Sequence, residues 1–221
     1  MTIKAAIFDM DGTLVDSLMV WGYLWKEFGK KYLNGEEFLP APDVDKAIRT
    51  LPLKDAMNLI YERYHFGKDG NDLLNTANEL TATFYREDVK VKKDVHKFLS
   101  HLQNNGVKMC IASATAPDLV NIALDACDLR KYFIKFFSCA DLGIGKDKPD
   151  IFNLALEFLG TEREETFVFE DSLVAVDTAM KAGFPTIGIY DKYNDGSEKL
   201  KNMATFFISE IESLIKLIEE F

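Results

Sequence analysis

The chain has 221 residues, 48% hydrophobic and 28% charged, which is the make-up of an ordinary globular protein and excludes a disordered polymer. No stretch is apolar for long enough to suggest a transmembrane helix. The formal net charge of −10 argues against a nucleic-acid partner, because most of such a surface would repel a phosphate backbone. An anionic small molecule would therefore need a local gathering of positive charge and backbone donors.

The N-terminal residues Met1 to Phe8 run straight into an apolar stretch, with neither the basic region nor the cleavage site of a secretory leader, so a cytoplasmic location is expected. Cys110, Cys127 and Cys139 have no metal-ligand spacing. They are expected as reduced thiols, with Cys110 and Cys139 in or beside apolar runs.

In chain order, Ile3 to Phe8 is predicted as a strand, followed by an acidic glycine turn at Asp9 to Thr13. From about Asp16 to Phe84 the apolar residues recur at helical intervals, as in Trp21, Leu24, Trp25 and Phe28. Breaks at Asn34-Gly35, Pro40 to Pro42, Pro52 and Gly67 to Gly70 divide this region into three or four helices. Helix and strand then alternate. Helices are predicted at Lys93 to Gln103, Pro117 to Ala126, Pro149 to Leu159 and Leu173 to Ala182, with a closing one at Glu210 to Glu220. Strands are predicted at Val107 to Ala112, Phe136 to Cys139, Thr166 to Phe169, Thr186 to Ile189 and Phe206 to Ile208. Continuous apolar strands separated by amphipathic helices imply an α/β fold, a doubly wound parallel sheet with an inserted helical domain after its first strand. Ligands of such sheets bind at the carboxyl ends of the strands.

Those strand ends carry the polar chemistry. The first is followed by Asp9 and Asp11, although Asp11-Gly12 alone is also a common turn former. The second leads into Ser113-Ala114-Thr115, where a hydroxyl and free amides suit an anion or serve merely as a helix cap. The third leads to Gly145-Lys146-Asp147-Lys148, and the fourth ends in Glu170-Asp171-Ser172. Carboxylates, a lysine and a hydroxyl at successive strand ends are what a hard divalent cation and a phosphoryl group together require, and Asp9 and Asp171 can supply the carboxylates for Mg2+.

In this order the motifs resemble those of the haloacid dehalogenase-like hydrolases, over essentially the whole chain. Asp9-Met-Asp-Gly-Thr-Leu-Val-Asp-Ser17 is similar to the first motif, Ser113 to the second, Gly145-Lys146 with Pro149-Asp150 to the third, and Glu170-Asp171-Ser172 to the fourth. The helical insertion is similar to the cap of the β-phosphoglucomutase-like and phosphoglycolate-phosphatase-like branch. The resemblance implies a core of residues 1–15 and 86–221, with a cap at 16–85. It implies a Mg2+-dependent phosphatase in which Asp9 is the nucleophile and forms an aspartyl-phosphate while Asp11 is the general acid and base. The metal would be held by Asp9, the Asp11 carbonyl and Asp171, with Glu170 as ligand or support; Ser113, the Ala114 amide and Lys146 would hold the phosphoryl oxygens. The substrate implied is a small phosphate ester.

Two positions depart from the family pattern. Asp147 follows Lys146 where proline is usual, which leaves Lys148 as a rival phosphate-binding lysine, and Ala175 stands where glycine is usual. A sugar-phosphate mutase is the alternative activity, but Trp21 stands near the place of the mutase histidine, and the stretch Ile48 to Lys54 departs from the mutase segment. A noncatalytic binding protein on the same fold is a further alternative, against which the intact acidic residues count. The sequence does not reveal the oligomeric state.

Overall fold

A computed structural model of the chain describes residues 2–49, 51–194 and 196–221. Met1, and Thr50 within the stretch compared above with the mutase segment, lie outside them. The chain forms two compact units, one of Met1–Leu18 and Val89–Phe221, the other of Met19–Asp88.

The first unit is built on strands β1 (Ala5–Phe8), β4 (Lys108–Ser113), β5 (Lys135–Ser138), β6 (Thr166–Glu170), β7 (Thr186–Ile189) and β8 (Phe206–Ile208). They form one parallel sheet in the order β5-β4-β1-β6-β7-β8. All four residues of β1 are buried, as a strand covered on both faces requires. Strand alternation divides them. Ala5 and Ile7 join Cys110, Val168 and the apolar sides of helices α8 (Asp150–Leu159) and α9 (Leu173–Lys181) in one core layer. Phe8 turns to the other face and stacks on Phe169 with ring centroids 4.2 Å apart, and Phe169 in turn meets Phe98 of helix α5 (Val95–Asn104). The chain adds strands outward from β1 on one side and then returns to its other side at β6, so the strand order reverses about β1. That reversal opens the crevice in which ligands of open α/β sheets bind.

Two strands too short for any periodicity to reveal, β2 (Val15–Asp16) and β3 (Lys90–Val91), pair antiparallel where the chain leaves and rejoins this unit. Helices α6 (Pro117–Ala126) and α10 (Ser197–Met203) and the one-turn α7 (Cys139–Leu142) complete it. The three cysteines are free and buried.

Local differences from expectation have physical causes. The predicted closing helix is only a 3-10 segment, Leu214–Glu219. Glu212 turns back to accept hydrogen bonds from the Ser209 amide and hydroxyl, and Ile211 is 87% exposed, so no apolar stripe continues through the turn before it. Helix α10 escapes hydrophobic patterning because Leu200 is its single buried residue. Cys139 begins a helical turn rather than ending a strand, because Ser138 Oγ accepts the Asp141 amide.

The second unit packs α1 (Val20–Tyr32), α2 (Pro42–Ile48), α3 (Leu53–Tyr64) and α4 (Gly70–Glu87) around Leu24, Trp25, Phe28, Ile60 and Leu73. Proline at the first turn of α2 and the Asp69 side chain accepting the Asp72 amide at 2.8 Å begin two of these helices. Trp21 lies with its ring 5.6 Å from that of Trp25, while Lys26, Lys30 and Lys31 are exposed. No helix of the described residues is long and apolar enough to cross a membrane.

Candidate active site

Asp9 and Asp11 of the first motif and Glu170 and Asp171 of the fourth lie at or just past the carboxyl ends of β1 and β6. Asp9 follows the last residue of β1, Glu170 ends β6 and Asp171 follows it. Parallel pairing of these neighbouring strands sets Phe8 beside Phe169, so the acids that follow converge. Each of Asp9, Glu170 and Asp171 offers a ligand oxygen, and these atoms lie within 4.8 Å of one another. All three residues are buried, at 7%, 1% and 5% exposure, so little water is present to screen their repulsion.

One cation enters the group. Lys146 Nζ donates to Asp9 Oδ1 at 2.5 Å and also to Glu170 Oε1. Lys148 is exposed and points to no comparable partner among the described residues. Burial pushes the Asp9 carboxyl up to about 8; Lys146 opposes the rise, and the charges of Glu170 and Asp11 add to it. Burial also lifts Asp171 well above the usual carboxylate range, with Asp9 and Glu170 contributing. Burial would lower Lys146, but Asp9 and Glu170 outweigh it and hold the ammonium above its ordinary value. The lysine therefore stays charged, and burial together with mutual repulsion raises the proton affinity of Asp9 and Asp171. Three ionised carboxylates against one ammonium would leave two negative charges, the complement of a divalent cation, and an all-oxygen donor set suits a hard one.

Asp11 belongs to a different neighbourhood. Its two carboxylate oxygens accept the Ser17 hydroxyl at 2.6 Å and the Thr115 hydroxyl at 2.7 Å, which orients the side chain. Ser113 is buried at the end of β4, where its Oγ accepts the Thr115 amide at 3.1 Å, and Ala114 beside it is exposed. Neither hydroxyl caps α6, which opens from Ala116 with Pro117 in its first turn. The capping explanation for this hydroxyl pair thus fails, and the pair forms a bridge from β4 to Asp11.

Sequence reasoning missed Thr13 and Asn194. Thr13 Oγ1 donates to Asp171 Oδ1 at 3.0 Å, and the Asn194 amide donates to Asp171 Oδ2. Thr13 sits inside the first motif and could have been suspected. Asn194 lies in the loop after β7 and carries no local signal. Gly12 is required on two counts. Its φ is +79°, and a Cβ there would stand 2.3 Å from Asp171 Oδ2. Gly12→Ala is expected to cost at least ~1 kcal/mol in urea unfolding, and to weaken binding of a divalent cation because Asp171 must shift.

The family model for haloacid dehalogenase-like hydrolases matches residues 3–183. The chain belongs to that family. This haloacid dehalogenase-like hydrolase is 26% identical over 219 residues to a phosphorylated carbohydrates phosphatase of Thermotoga maritima, with 99% of each chain covered. It is 26% identical over 225 residues to a Caldanaerobacter subterraneus protein provisionally named pyrophosphatase PpaX, with 99% of this chain and 96% of the other covered. Among solved structures, a Thermotoga maritima protein provisionally named a β-phosphoglucomutase superposes with a TM-score of 0.82 at 26% identity, covering 99% of this chain and 100% of that one.

Proposed function

We propose that the protein is a Mg2+-dependent phosphatase acting on small phosphorylated carbohydrates through an aspartyl-phosphate. The observation that carries this reading is the buried group of Asp9, Glu170 and Asp171 gathered about Lys146 at the ends of the two central strands. A carboxylate oxygen of Asp9 attacks phosphorus in line, and the bond from phosphorus to the ester oxygen breaks. Asp11, oriented by Ser17 and Thr115, delivers a proton to the departing oxygen and then takes one from the water that hydrolyses the aspartyl-phosphate. A halide needs no such proton, so an acid held at this position suits an ester. Ser113, the Ala114 amide and Lys146 bind the phosphoryl oxygens.

Asp9, Asp171 and the Asp11 carbonyl would hold Mg2+, with Glu170 as ligand or support. Bound there, Mg2+ supplies charge neutralisation for the phosphoryl group. In this reading residues 16–85 form the cap domain, and the paired strands β2 and β3 lie where the chain passes between core and cap. The relative that acts on phosphorylated carbohydrates supports the substrate class. Free buried cysteines suit a reducing compartment, and we assign the reaction to the cytoplasm.

The test is phosphate release from sugar phosphates, polyol phosphates and inorganic pyrophosphate, each measured with Mg2+ and with EDTA. The expected result is release from at least one sugar phosphate that requires Mg2+. Release unaffected by EDTA, or none from any member of the panel, would overturn the proposal.

A further inference from the structure

The loop after β7 is anchored by buried charge. Lys92 Nζ donates to Asp191 Oδ2 at 2.8 Å and to the Tyr190 carbonyl at 3.1 Å, with Asp16 Oδ1 3.5 Å away. Asp191 is 5% exposed; its other carboxylate oxygen accepts the Tyr193 amide at 2.9 Å and its carbonyl accepts the Asn194 amide at 3.1 Å. These bonds form a tight turn whose last residue faces the carboxyl end of β6. There Asn194 Nδ2 donates to Asp171 Oδ2 and lies 3.3 Å from the Asp171 carbonyl. The Asp171 carbonyl is an acceptor, and so is the carboxylate in its ionised, cation-binding form, so Nδ2 rather than the amide oxygen faces them.

We infer that Asn194 is a positioning residue for Asp171, fixing that carboxylate to receive a divalent cation. The inference rests on the reading of Asp171 as a cation ligand given above. Thr13 takes one carboxylate oxygen and Asn194 the other, so rotation of the carboxylate plane would break two hydrogen bonds at once. The remaining lone pairs keep a set direction. A carboxamide does this without carrying charge. A lysine in its place would compete with the cation, whereas a neutral donor favours the ionised carboxylate and leaves its charge for the ion. Lys92 and Asp191 act one step further out, by holding the turn that carries Asn194.

The test is titration calorimetry with Mg2+ on full-length protein stripped with EDTA, comparing wild type, Asn194→Ala, Asn194→Leu and Asp171→Asn, with thermal midpoints recorded in EDTA. Both Asn194 variants are expected to bind Mg2+ about 10- to 100-fold more weakly, the usual loss for removing a partner of a metal ligand, while their midpoints in EDTA stay near that of wild type. A dissociation constant within twofold of wild type in both variants, beside lost binding in Asp171→Asn, overturns the inference. Lowered midpoints with unchanged affinity overturn it equally, since Asn194 would then serve the fold alone. Unchanged binding in Asp171→Asn defeats the cation-site reading instead. If one Asn194 variant does not fold, the affinity of the other decides.

Discussion

Asp9→Asn is expected to lower phosphate release by at least ~10⁴-fold, the scale on which loss of a covalent nucleophile acts. Asparagine keeps the shape of the side chain but has no carboxylate oxygen with which to attack phosphorus. It also removes one acid from a group in which burial already pushes Asp9 up to about 8. The thermal midpoint in EDTA should therefore hold steady or rise while turnover disappears. That opposite movement separates a chemical role from a structural one. Single-turnover phosphate release and a melting curve on the same preparation measure both, and a rate within tenfold of wild type would remove Asp9 from the mechanism.

The second large effect concerns the lysine. Lys146→Ala leaves Asp9 and Glu170 buried without the cation that bridges them, and breaking a buried pair in this way costs about 3–5 kcal/mol. The loss should show in urea unfolding with EDTA and shrink when Mg2+ is added, because a divalent cation offsets the same charges. The rate should fall by a further ~10²–10³-fold beyond any loss of folded protein, as when a donor to developing negative charge is removed. Lys148→Ala, at an exposed position, should stay within about 0.5 kcal/mol of wild type. If Lys148→Ala instead proved the more damaging variant in both measurements, the phosphate-binding role would move to Lys148.

These expectations share one physical cause. Burying three acids around one lysine is costly, and the fold sustains the arrangement because neighbouring strands β1 and β6 end side by side. On the function proposed above, the site trades stability for a place where a divalent cation and an anionic group would bind together. Relief of repulsion on cation binding then links occupancy to stability.

Periodicity alone was enough for the α/β class and the parallel sheet, because β1, β4, β6 and β7 are apolar runs and the intervening helices carry one apolar stripe each. The positions of Asp9, Asp11, Ser113, Glu170 and Asp171 at or just past strand ends could be read for the same reason, since local hydrophobicity marks where each strand stops. Lys146 lies beyond the turn α7 that follows β5. Elements without such a signal were invisible. Strands β2 and β3 have two residues each, α10 buries Leu200 alone, and the closing segment tightens into a 3-10 turn once Glu212 folds back on Ser209. Only the tertiary structure decided which strand ends meet, that Lys146 rather than Lys148 reaches the acids, that Thr115 turns to Asp11 instead of capping a helix, and that Asn194 reaches Asp171 from 23 residues away. Those partnerships join residues far apart in the chain through strand order and burial, and no local pattern of side chains encodes a contact that exists only when separate strands are brought side by side.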